Sequence, residues 1–175
     1  MKKTLCAAAL AAALGWGAAA QADDGVIRIG FITDMSGLSA DADGPGGAEA
    51  IKMAIADFGG SVAGKKIEVL VADHQNRADI ASSRAREWLD QKGVNMLIAG
   101  ANSAAALAMA KVAEEKKTPF FVVSAGASEL TNSQCTPYTV HYVYDTVSLA
   151  RGTARAMLKE LSLIHISEPT RLRRI

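Results

Sequence analysis

Short, almost wholly apolar β-rich runs, separated by stretches of helical period, constrain this chain more than any other feature. The runs are residues 26–33 (VIRIGFIT), 67–72 (IEVLVA), 94–99 (VNMLIA), 120–123 and 139–144. Strands covered on both faces read as near-continuous apolar segments rather than as alternating ones. Between them, residues 46–58 put Ala50, Ile51, Ala54, Ile55 and Phe58 on one helical stripe. A second helix is expected over 79–92, with Asp79 as N-cap and Gly93 closing it. A third is expected over 103–116. Residues 148–160 begin another, with Ala154, Met157 and Leu158 at helical spacing. Strands alternating with helices mean βαβ units, so the fold class is α/β with a parallel sheet. Right-handed crossovers place helices on both of its faces. Ligands of such sheets bind at the carboxyl ends of the strands. The loops there are 34–47, 73–79, 100–103, 124–128 and 145–148.

The two ends read differently from this middle. Residues 1–22 have the form of a secretory signal: Lys2 and Lys3, an uncharged apolar stretch over 5–20, and the small-x-small site Ala20-Gln21-Ala22, with cleavage after Ala22. The apolar stretch, about 16 residues, falls short of the ~20 that span a bilayer. At the other end, the string over 161–171 resembles the in-frame translation of a sequencing adapter. Residues 161–175 are therefore expected to be non-native, and His165 and the terminal arginines to carry no function. On this reading residues 23–160 are one incomplete lobe. They hold 14 Lys+Arg and 17 Asp+Glu, a net charge of −3 with no basic tract, which argues against nucleic acid as a partner. Only Cys135 lies outside the leader, so no disulfide scaffold is possible. Cys135 is expected to be a buried thiol or half of a bond whose partner is not in this chain.

Few motifs carry chemistry. Gly59-x4-Gly64-Lys65 approaches a phosphate loop, but a helix precedes it and a strand follows, the reverse of what that motif needs. Asp43-Gly-Pro-Gly-Gly47 lacks dinucleotide-loop spacing and reads as a Gly-rich turn that lets backbone amides approach a ligand. His74 and His141 have no partners at metal-ligand spacing and read as strand-end or surface histidines. Asp41 and Asp43 read as loop or capping residues. No nucleophile elbow is present, and no cofactor or metal is expected. Two loops are more informative. Gly100-Ala-Asn-Ser103 ends a strand and starts a helix capped by Asn102 or Ser103. Ser124-Ala-Gly-Ala-Ser128 ends the next strand. Together they offer hydroxyl and N–H donors suited to a carboxylate. Spacing leaves open whether the serines hold a ligand or only cap helices.

FITDMSG (31–37), GPGGAEAIKMAI (44–55), VADHQN (71–76), GANSAAALAMAKVAEEKK (100–117), SAGASELT (124–131) and YDTVSLARGTA (144–154) resemble exported substrate-binding proteins of branched-chain amino-acid-type ABC transporters. The resemblance implies the N-terminal lobe of a two-lobe type I periplasmic binding fold. It implies that Ser103, Gly126, Ala127 and Ser128 hold the ligand's carboxylate, and that an inner-membrane ABC permease is the partner. It also implies a periplasmic binding protein rather than an enzyme, taking an amino acid or similar small carboxylate by clamp closure. A ligand-sensing receptor of the same fold and an α/β enzyme are the alternatives. The family often carries an aromatic in the first loop and a disulfide between the loops after strands two and three. Here residues 38–43 (LSADAD) contain no aromatic, and neither of those two loops contains a cysteine.

Overall fold

The computed structural model describes residues 25–160. The expected leader (1–22) and tail (161–175) lie outside the described residues. The elements run β1 (Val26–Thr33), α1 (Ala40–Asp43), α2 (Pro45–Asp57), β2 (Ser61–Val62), β3 (Lys65–Asp73), α3 (Ala78–Gln91), β4 (Val94–Ala99), α4 (Ser103–Lys116), β5 (Phe120–Val122), a 3-10 turn (Ser128–Thr131), β6 (Thr139–His141) and α5 (Thr146–Glu160). One six-stranded sheet has the order β2-β3-β1-β4-β5-β6. Its strands are parallel except for β2, which pairs antiparallel with β3. The α/β class read from the sequence is the one observed. Among the described residues no helix is long and apolar enough to cross a membrane.

The core lies between the sheet and α3 and α4. Register puts Gly30, Leu97 and Phe120 in one cross-strand row and Ala72, Ile32, Ala99 and Val122 in the next. Trp88 of α3 and Met109 of α4 close over these rows. Gly30 is required there: a Cβ on it would stand 2.8 Å from the Trp88 ring. On the opposite face α2 meets the sheet where Gly47 lies against Phe31. Helices thus lie on both faces, but coverage is unequal. On the second face Phe31 is buried, while Ile29, Met96, Ile98 and Phe121 are half-buried and Val140 is exposed.

Several local expectations change. The stripe assigned to the first helix is not a buried one: Ala50, Ala54 and Phe58 are exposed and only Ile51 and Ile55 are half-buried. Asp79 does not cap α3. Arg77 occupies the N-cap, and Asp79 in the first turn accepts two hydrogen bonds from its guanidinium, at 3.1 and 2.5 Å. Gly93, at φ 63°, does close that helix. The segment over Gly59–Gly64 is no phosphate loop. Ser61–Val62 folds back on β3, through Ala63 and Gly64 at φ 51° and 77°, the pair of positive φ values that a type I′ hairpin demands. In the Gly-rich turn, Gly44 and Gly47 are closely packed while Gly46 is open. A Cβ at Gly44 would meet Ala40 O at 2.5 Å, and one at Gly47 would meet the Phe31 ring at 3.1 Å. Cys135 is exposed and free, so it is not the buried thiol expected. No side chain described in α5 is buried.

Candidate ligand-binding site

β3 lies on one side of β1 and β4 on the other. The chain therefore reverses its winding at β1/β4, and the crevice outside the carboxyl ends of these strands is where an open α/β sheet binds ligands. The loops leaving β4 and β5 adjoin there, because Ala99 and Val122 are register partners and Val123 N donates to Ala99 O at 3.1 Å. Asn102, not Ser103, caps α4: its Oδ1 accepts from Ala105 N at 2.8 Å. The Ser103 hydroxyl is left free of that duty. Among the described residues the amides of Ser103 and Ala104 donate to no protein acceptor, nor do those of Gly126, Ala127 and Ser128. The carbonyls of Ala125, Gly126 and Ala127 in the second loop are in use. Gly126 O accepts from Thr146 N at 2.9 Å, Ala127 O from Leu130 N at 3.2 Å, and Ala125 O is 2.7 Å from His141 Nε2. Carbonyls of residues 125–127 engaged with the protein and amides left unspent make this edge rich in donors, the chemistry a carboxylate needs.

Spacing alone does not show which side chains hold this edge in place. Asp73, the last residue of β3, accepts from Met35 N at 3.1 Å, Ser36 Oγ at 2.6 Å and Gln75 N at 2.7 Å. Burial disfavours its ionised form, but these hydrogen bonds and nearby His74 outweigh that and hold the carboxyl below its ordinary range. His74 is buried, not a surface histidine. Its Nδ1 accepts from Asn76 N at 3.0 Å, and Asn102 Nδ2 donates to Asn76 Oδ1. Burial depresses its pKa, against the pull of Asp34, Asp73 and Asp43. Asp34 is buried and organises the first loop by accepting from Gly37 N and Ser39 N, both at 2.9 Å. Asp43 is buried against Thr33, whose Oγ1 donates to its Oδ1 at 2.8 Å, while Oδ2 has no partner. Asp41 is exposed. A polar pair directly after an apolar strand, Asp73-His74, is the one sequence signal that could have marked this clamp.

The predicted residues fall in two neighbouring groups. Ser103 opens α4, half-buried. Gly126 and Ser128, half-buried, flank the buried Ala127 in the loop after β5. Gly126 lies under Tyr144, whose ring a Cβ would approach to 3.2 Å. Among the described residues no group of His, Cys, Asp and Glu could hold a metal ion.

Residues 26–166 match the family described as periplasmic binding protein. A periplasmic binding protein from Burkholderia mallei is 64% identical over 77% of this chain and 36% of its own, with a TM-score of 0.75. A branched chain amino acid ABC transporter periplasmic ligand-binding protein from Burkholderia xenovorans LB400 is 34% identical over 77% of this chain and 36% of its own, with a TM-score of 0.72. A solute binding protein of an ABC transporter from Rhodopseudomonas palustris BisB5, in complex with 3,4-dihydroxy benzoic acid, is 34% identical over 70% of this chain and 33% of its own, with a TM-score of 0.62. This chain thus spans about a third of the length of these solved proteins. No curated protein matches it.

Proposed function

The chain belongs to the periplasmic binding protein family, and from that premise we propose that it is part of the solute-binding component of an ABC importer. Its ligand is an amino acid or similar small carboxylate, and no bond is made or broken. One observation carries the ligand class: the unspent amides of Ser103, Ala104, Gly126, Ala127 and Ser128 at adjoining strand ends. The Ser103 and Ser128 hydroxyls add two donors, and the N-terminus of α4 adds a partial positive charge. The ligands named for the relatives agree with this. One is named for branched-chain amino acids and another holds an aromatic acid, and both ligand types carry a carboxylate. Ligand would bias an open–closed equilibrium between this lobe and a second one, and the closed form would dock on the inner-membrane permease. The protein would be exported, with the leader cleaved after Ala22.

A titration of the ¹⁵N-labelled chain with L-leucine and with benzoate tests the site. Binding is expected to be weak, because a chain that matches only about a third of its relatives' length supplies few of the contacts. The amides of Ser103, Ala104, Gly126, Ala127 and Ser128 should shift together. Ser103→Ala should weaken binding about tenfold or more, the effect of one hydrogen bond to a charged group. Amides that stay fixed at this edge while others move would refute the assignment.

A further inference from the structure

The turn after β3 holds two consecutive non-glycine residues in the left-handed region, Gln75 at φ 52° and Asn76 at φ 57°. Side-chain-bearing residues rarely adopt it, and it persists only where the surroundings enforce it. Asp73 enforces the first through Gln75 N, and His74 enforces the second through Asn76 N. Asn102 Nδ2 then donates to Asn76 Oδ1, and to Asn76 O at 3.4 Å, while Asn102 Oδ1 receives Ala105 N at 2.8 Å. A continuous hydrogen-bonded path therefore runs from a buried imidazole to the first turn of α4, where Ser103 stands. The path requires a bare Nδ1, hence a neutral ring with its proton on Nε2. The charged groups facing the ring are Asp34 from the first loop, Asp43 from α1 and Asp73 from its own strand.

We infer that His74 is a positioning residue for the ligand site: its bare Nδ1 sets Asn76, Asn76 sets Asn102, and Asn102 holds Ser103 and the unspent amides of α4 in register with the loop after β5. The role in binding rests on the proposed carboxylate site, whereas the mechanics rest on the hydrogen bonds alone. Protonating the ring would set an N–H against the N–H of Asn76 and open the path at its first step. Burial, which depresses the His74 pKa, keeps that from happening at neutral pH.

The ¹⁵N-labelled full chain tests both halves. In a long-range spectrum of the imidazole at neutral pH, Nδ1 should be bare and Nε2 protonated; the opposite tautomer overturns the inference. His74→Asn keeps an acceptor near the place of Nδ1, and His74→Leu removes it. Hydrogen exchange at the Ala105 amide should be about tenfold faster in H74L than in H74N, the loss of one cap-scale interaction. Equal exchange in the two overturns the path. Should H74L not fold, an acid titration of the unmutated chain decides. The Asn76, Ser103 and Ala105 amides should shift with the midpoint of the His74 ring, and independent midpoints overturn it. Benzoate and L-leucine titrations separate the ligand role. H74L should bind about tenfold more weakly than H74N, and equal affinity defeats the positioning role. If ligand moves no amide at the Ser103 edge in the unmutated chain, the carboxylate site fails while the tautomer and exchange results still stand.

Discussion

At the scale of single residues, Gly100 shows how little slack the sheet's carboxyl edge contains. A Cβ there would stand 2.1 Å from Thr33 Oγ1 and 2.5 Å from Asp43 Oδ2, both on buried side chains that already bond each other. Gly100→Ala should therefore cost about 1–3 kcal/mol by overpacking. In urea melts the midpoint should fall while the slope stays constant; an unchanged midpoint would mean that the Thr33–Asp43 pair yields freely. Asp73 supports a second prediction, in pH. Its folded pKa is depressed, so its contribution is present above the unfolded value and is lost as pH falls through the folded one. Melts below about pH 4, the ordinary range of a free Asp, should show that loss in the wild type. Asp73→Asn should remove the pH-dependent part, at a cost of about 1–3 kcal/mol near neutrality from weakened bonds to Met35, Ser36 and Gln75. Parallel pH profiles for the two proteins would contradict it.

At the scale of elements, α4 is the piece on which the site depends. It was legible in full, Ser103–Lys116, because helical period, an Asn-Ser start and a polar end all agree. What spacing left open was which residue caps it, since Asn102 and Ser103 both suit that position. Asn102→Ala should cost about 0.5–2 kcal/mol and should also release Asn76 from its strained turn. Both effects can be read from amide exchange at Ala105 and Asn76, and protection retained at both would defeat the assignment of the cap. β1 and β4 were equally legible, being almost wholly apolar and ended by turn residues. α1 and β2 were not. Four and two residues long, they are too short for any period to register, and β2 exists only because β3 offers it a partner. Helical period is also blind to cover. Residues 46–58 fold as read, yet the stripe's Phe58 ends in solvent because nothing described here packs on that side. The candidate edge was legible as two loops of small donors. The clamp behind it was not, because Asn102 reaches Asn76 across 26 residues and Ser36 reaches Asp73 across 37 only once the sheet has formed.

At the scale of the molecule, among the described residues the sheet has one covered face and one partly open face. A parallel sheet needs both covered, and α3 and α4 achieve this on the first. On the second, α2 reaches Phe31 and stops, leaving Phe121 and Ile98 half-buried and Val140 44% exposed. Met53 and Phe58 add more open apolar surface, as do Leu149, Met157 and Leu158 on α5. Monomers rarely expose apolar patches beyond a few hundred Å², so the chain should reveal this surface in solution. A hydrophobic dye such as anilinonaphthalene sulfonate should fluoresce with the folded chain, and the signal should vanish through one cooperative urea transition. That cooperativity separates an open native face from a molten state, which also binds the dye but has lost fixed packing. Light scattering supplies the control. Self-association that covers the face would suppress the dye signal and raise the mass together. A monomer that leaves the dye dark would contradict the exposure of this face.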